Sequence, residues 1–336
     1  MIRGARLVPV LACLAGCGFS LGGSDSAPGD DSGSAHEVDA GTSSGPDATP
    51  PLAGPYPIVL AHGLFGFDHL GPLDYFYGIK DTLAANGRIV YAPRVDAVQS
   101  AEVRGQQLLD AIEIARMETG ADKVIVIGHS QGGLDARWAA AHAPTHIAAV
   151  VTIATPHRGS PVADVSAGLT PGVAADAANA LGDLFGLSTS GGTTSFQGAL
   201  MSLTSEGAAA FNAATPDAPG VAYYSIAGRS AYAGSSSCPS AAAGFMSTWD
   251  SDLDPLKLEL VGVAGILAAA SLPDTPVQDG LVTVESAKWG HFLGCIPADH
   301  LDQVCQVAGQ SPGFGNGFDC QEFWSDLEQY LTSQGY

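Results

Sequence analysis

The pentapeptide Gly128-His129-Ser130-Gln131-Gly132 has the Gly-x-Ser-x-Gly pattern of a nucleophilic serine. A serine hydroxyl is a weak nucleophile until a base takes its proton and a third group orients that base. The flanks lift the pattern above chance. Val124-Ile125-Val126-Ile127 reads as a buried strand and residues 134–140 as a helix, so strand, tight turn and helix fall where a nucleophile elbow needs them. Gly128 and Gly132 leave room for a strained turn, and the following helix N-terminus favours developing negative charge.

In the chain order that accompanies such an elbow, an acid and then a histidine follow the serine. Of nine histidines, His36 lies in an N-terminal stretch without apolar pattern, and His62, His69 and His129 precede Ser130. His142, His146 and His157 come before a suitable acid, which leaves His291 and His300. Asp279 stands in Val277-Gln278-Asp279-Gly280-Leu281-Val282-Thr283-Val284, read as a carboxylate leaving a strand at a glycine turn. His300, in the polar loop Ala298-Asp299-His300-Leu301-Asp302 before the last helix, is the preferred base, with His291 the alternative. His300 would deprotonate Ser130 and Asp279 would fix its tautomer. A strand at 57–61 runs into His62-Gly63-Leu64, so the amides of Leu64 and Gln131 are the expected oxyanion donors, and His62 is read as a structural histidine orienting that loop.

The elements that must hold these groups alternate. Residues 73–86 read as a helix ending at Asn86-Gly87, 88–92 as a strand, and 100–119 as a helix turning Val103, Leu108, Leu109, Ile112 and Ile114 to the core. Strands at 123–127 and 147–153 follow. This alternation predicts an α/β fold with a mostly parallel, doubly wound sheet. Regularity lapses at 161–200, too long for an ordinary loop and carrying an apolar stripe, which reads as a helical lid or a packed cap. A helix at 195–212, a strand at 221–226 and a covering helix at 256–270 complete the pattern; 161–215 is taken as the lid or cap region.

Residues 1–16 read as a signal peptide, with Arg3 and Arg6 before a short apolar run, and Leu14-Ala15-Gly16-Cys17 resembles a bacterial lipobox that would be acylated on Cys17. Residues 17–55 hold six acidic residues and no basic one, and read as a disordered acidic tether. The rest, 56–336, is the catalytic domain. The chain's formal net charge of −21 excludes nucleic-acid binding by phosphate neutralisation. Beyond the signal, Cys238, Cys295, Cys305 and Cys320 form an even set in an exported chain. Three pairings exist; Cys238–Cys295 with Cys305–Cys320 is favoured. None sits in a C-x-x-C, which argues against zinc.

Segments 57–68, 128–133, 203–224, 279–282 and 300–306, and above all Thr204-Ser205-Glu206-Gly207-Ala208-Ala209-Ala210-Phe211-Asn212, resemble the Pseudomonas/Burkholderia-type bacterial triacylglycerol lipases of the α/β-hydrolase superfamily. The resemblance puts Ser130, Asp279 and His300 on the family's triad and Leu64 and Gln131 on its oxyanion hole. It implies hydrolysis of lipid esters at an interface, with short-chain esters or polyesters as the alternative and an inactive surface lipoprotein as the remote one. It also implies a structural calcium ion held by Asp254, Asp302 and the main-chain oxygens of Gln306 and Gln310, and in many members a dedicated membrane foldase. A pair of hard carboxylates near the base suits calcium. The chain departs from the family in its cysteines: none stands where the family's single disulfide would fall, and Ser286 lies near one of those places. Export as an extracytoplasmic lipoprotein anchored through Cys17, or as a secreted enzyme, is expected.

Overall fold

The computed structural model describes residues 55–336 apart from 65, 67–68, 71–72, 168–193, 232–237, 239–243, 250–253, 256–276, 307–308 and 310–315. All of these belong to the second of the chain's two units, 49–336. The signal peptide, Cys17, the tether, the covering helix at 256–270, most of the lid and Gln310 lie outside the described residues.

Six strands form one parallel sheet. In chain order they are β1 Ile58–Ala61, β4 Val90–Tyr91, β5 Val124–His129, β6 Ile147–Ile153, β7 Ala222–Gly228 and β10 His291–Ile296. Their spatial order is β10-β7-β6-β5-β1-β4, with every pairing parallel. The short pairs β2 His69–Leu70 with β3 Leu73–Asp74, and β8 Ser230–Ala231 with β9 Asp254–Pro255, stand apart from it. Strands buried on both faces carry unbroken apolar runs, as β5 and β6 do.

Helices cover both faces. On one, Ile58, Leu60, Ile125, Ile127 and Val151 pack with Ile79 and Leu83 of α1 (Ile79–Ala85) and with Phe323, Trp324 and Leu327 of the last helix, Cys320–Ser333. On the other, Val59, Val124, Val126 and Val150 meet Leu108 and Ile112 of α2 (Ala101–Thr119) and Ala136, Ala139 and Ala140 of α3 (Gln131–His142). The doubly wound α/β reading therefore holds.

Several boundaries differ from the sequence expectations. The segment 73–86 is helical only from Ile79, because Gly78 adopts φ 70 and Leu73–Asp74 pairs as a strand. Leu108 and Ile112 of α2 are buried as expected and Leu109 packs beside them, but Val103 and Ile114 are 43 % and 50 % exposed, and Arg104, Gly105 and Ala115 are buried in their place. The helix expected over 195–212 is two helices. Thr194–Ser202 ends before Thr204, whose hydroxyl accepts from the Gly207 amide and caps Ser205–Ala214. Asp279 leaves no strand: it lies in a bend closed by a lone Gln278–Thr283 bridge.

Within the stretch 161–215, expected to be a lid or cap, Ala163, Leu200, Leu203 and Phe211 form an apolar cluster with Ala101 and Leu134, and Leu64 and Trp138 pack against it. The helix Pro161–Ser166 and the two helices Thr194–Ser202 and Ser205–Ala214 thus each contribute to one apolar cluster that Leu64 packs against.

Candidate active site

Ser130 links β5 to α3 with φ 55 and ψ −130. A positive φ on a non-glycine residue costs about 1–3 kcal/mol and persists only where the surroundings enforce it. They do so here. A Cβ on Gly128 would lie 2.4 Å from the Gly132 carbonyl oxygen, and one on Gly132 would lie 2.1 Å from that of Ala61. Both glycines are needed for strand, turn and helix to close up. The Ser130 amide donates to the Ile153 carbonyl at 2.9 Å, tying the turn to β6.

The loop after β1 abuts this turn. A Cβ on Gly63 would meet Ser130 Cβ at 2.8 Å and the Tyr75 hydroxyl at 2.7 Å. Among the described residues, neither the Leu64 nor the Gln131 amide donates to a main-chain carbonyl. Oxyanion donors at these two positions would require that. His62 has the structural part expected of it: Nδ1 is 3.0 Å from the Gly63 carbonyl, and Nε2 accepts from the Val95 amide at 3.2 Å.

His300 and Asp279 come together although 21 residues separate them. His300 Nδ1 is 2.8 Å from Asp279 Oδ2, and the His300 amide donates to the Asp279 carbonyl at 2.9 Å. Asp279 is fully buried and accepts three further bonds: Leu281 and Val282 amides on Oδ1 and Gln303 Nε2 on Oδ2, at 2.8–3.0 Å. Since an ionised carboxylate only accepts, His300 carries its proton on Nδ1 and leaves Nε2 as a base. No hydrogen bond joins Ser130 to His300 among the described residues; such contacts tighten when substrate binds. The alternative base fails. His291 is exposed at the N-terminal end of β10, opposite the edge where Ser130 emerges.

Three neighbours escaped the sequence reading. Gln303 shares Asp279 Oδ2 with the histidine. The ring of His129 lies 4.6 Å from that of His300, and its Nδ1 is 2.7 Å from the Tyr75 hydroxyl. Burial first, and then the charge on His300, holds His129 well below the ordinary histidine range, so it stays neutral and adds no second cation beside the base. Its position next to Ser130 was the one available signal.

Both favoured disulfides are present, Cys238–Cys295 and Cys305–Cys320. The second ties the loop after His300 to the first residue of the last helix. For calcium, Asp302 offers a carboxyl that is 1 % exposed, two residues past His300. The main chain of Asp254 pairs with Ser230, whose amide donates to the Gln278 carbonyl next to Asp279. The Asp254 side chain and Gln310 lie outside the described residues; Gln306 is buried, with Nε2 donating to the carbonyls of Asp74 and Tyr75. Among the described residues no three His, Cys, Asp or Glu side chains gather around one point.

Comparison with known proteins agrees with the geometry. A family model described as alpha/beta hydrolase fold matches residues 56–186. A triacylglycerol lipase of Vibrio cholerae serotype O1 is 36 % identical over 268 residues, covering 76 % of this chain and 81 % of that protein. A triacylglycerol lipase of Pseudomonas fragi is 50 % identical over 109 residues, 32 % of this chain and 37 % of its own. The crystal structure of a Bacillus licheniformis lipase in its mature form superposes with a TM-score of 0.54 at 22 % identity, over 76 % of this chain and 88 % of that one, a likeness of fold. With an elbow of this geometry and identity spread over four fifths of the Vibrio protein, the chain belongs to the triacylglycerol lipase family of α/β-hydrolases.

Proposed function

We propose that the protein hydrolyses carboxylic esters of lipids, triacylglycerols foremost, through an acyl-enzyme on Ser130. The observation that carries this reading is the His300–Asp279 hydrogen bond, set beside a serine held on a strained turn. Ser130 Oγ attacks the ester carbonyl carbon while His300 Nε2 takes the hydroxyl proton. The oxyanion is met by the Leu64 and Gln131 amides and faces the N-terminus of α3. Collapse expels the alcohol, which receives the proton from His300. A water molecule, deprotonated by the same nitrogen, then releases the acid and restores Ser130.

The long-chain substrate class is supported by the family and by the apolar cluster of the 161–215 region, against which Leu64 packs. The lid or cap expected over 161–215 would expose apolar residues at a lipid interface. A calcium ion held by Asp254, Asp302, Gln306 and Gln310 would brace the loop carrying His300. Two disulfides fit an oxidising, extracytoplasmic site of action. Within that setting, residues 1–16 act as the export signal, Cys17 as the lipid anchor and 17–55 as its tether, and a foldase assists maturation.

The test is a chain-length profile, emulsified triolein against a soluble p-nitrophenyl butyrate, with and without calcium. Turnover of triolein with a calcium requirement supports the full reading. Activity confined to the soluble ester moves the substrate to short acyl chains and leaves the triad standing.

A further inference from the structure

Arg104 and Asp135 are completely buried, and neither belongs to the array of Ser130, His300 and Asp279. Arg104 lies in the first turn of α2 and Asp135 in α3, one turn past Gln131. Arg104 Nε donates to Asp135 Oδ2 at 2.8 Å. Nη1 donates to the Asp96 carbonyl at 2.6 Å, and Nη2 to the carbonyls of His62 and Gly63 at 2.5 and 3.3 Å. One guanidinium therefore joins the nucleophile helix to the loop after β1.

The last of these contacts fixes more than an oxygen. The Gly63 carbonyl and the Leu64 N–H belong to one planar trans peptide and point in opposite directions. That carbonyl also accepts from the Gly66 amide at 3.1 Å and lies 3.0 Å from His62 Nδ1, so Arg104 is one of three groups that set the direction of the Leu64 amide, in a loop whose Gly63 is packed directly on Ser130. Arg104 can do this only if its own plane is fixed, because its donors form a rigid fork. Asp135 fixes it. Among the described residues Asp135 Oδ1 has no hydrogen-bond partner, so the carboxylate is directed at Arg104 alone. Its burial is costly and pushes its carboxyl up to about 7, against the pull of Arg104 and with a small further rise from Glu102. A well-packed apolar pair would often be no less stable at such a place, so stability alone gives little reason for these two charges.

We propose that Asp135 is a positioning residue for the oxyanion hole: through Arg104 it helps to hold the loop after β1, with its His62 and Gly63 carbonyls and hence the Gly63–Leu64 peptide, against the turn that carries Ser130. The inference rests on the reading of Leu64 and Gln131 as the oxyanion donors.

The test compares the wild type with Asp135→Asn, which keeps an oxygen for Nε and removes the charge, and Arg104→Lys, which keeps the charge and loses the fork. Each is assayed on p-nitrophenyl butyrate and for inhibition by phenylboronic acid, whose tetrahedral adduct on Ser130 resembles the reaction intermediate. The expected result is a kcat about 10-fold lower, KM within about twofold, and a boronate inhibition constant raised by the same factor as kcat falls. Arg104→Lys carries the test if Asp135→Asn does not fold. A folded variant with unchanged kcat and inhibition constant overturns the proposal, as does a kcat loss that leaves boronate affinity untouched. A wild type that boronate does not inhibit would count against the serine mechanism itself.

Discussion

His300 Nδ1 lies 2.8 Å from Asp279 Oδ2, and Gln303 Nε2 reaches the same oxygen at the same distance. The carboxylate thereby sets the histidine tautomer while the glutamine holds the carboxylate. Asp279→Asn offers Nδ1 an N–H as readily as an oxygen and is expected to lower kcat about 10³–10⁴-fold with little change in KM. Gln303→Leu removes one of two bonds to that oxygen and should cost about 10-fold. Steady-state rates on a soluble ester separate the two.

Gly132→Ala should abolish folding or activity. The new methyl would sit 2.1 Å from the Ala61 carbonyl oxygen, on backbone that cannot step aside. A loss of more than about 3 kcal/mol is expected, read as the denaturant midpoint of any soluble protein obtained.

The Cys305–Cys320 bridge spans 15 residues, immediately past the catalytic loop. Replacing both cysteines by serine is expected to cost about 3 kcal/mol. Activity should be lost at a lower temperature than the global thermal transition, because the His300 loop is released first. If the proposed calcium ion braces the same loop, chelation will widen that gap in the double variant more than in the wild type.

His157 is buried against Thr152 and Arg137, and burial first, then the charges of Arg137 and Arg158, holds it well below the ordinary histidine range. It stays neutral in the folded chain but binds a proton in the unfolded chain below about pH 6.5. Stability should therefore fall as pH drops through that value. Replacing His157 by Asn should flatten the dependence by up to about 1.4 kcal/mol per pH unit, measured by urea unfolding at pH 5 and 7.

What was legible in the sequence was local or ordered. The glycines at 128 and 132 declare a turn without reference to anything distant, and the acid-then-histidine order narrows the base to His291 and His300, of which the structure leaves His300. The runs in β5 and β6 are apolar on both faces, so they read as strands whatever covers them. The face of α2 was read correctly at Leu108, Leu109 and Ile112 and missed at Val103 and Ile114, because it also includes Gly105, which seats Trp138, and a buried arginine that pattern assigns to solvent. Gly78 and Thr204 broke two helices that apolar spacing alone would have continued. The Arg104–Asp135 pair, 31 residues apart, and Gln303 become visible only when the loops meet at the carboxyl edge of the sheet.

The central claim is that Ser130 is the nucleophile. Its most direct test is mass spectrometry of the intact enzyme after treatment with a fluorophosphonate. One phosphonyl group per chain, mapped to the peptide bearing Ser130 and absent from Ser130→Ala, is the predicted result. Labelling that persists in Ser130→Ala, or that never forms in an active wild type, would contradict it.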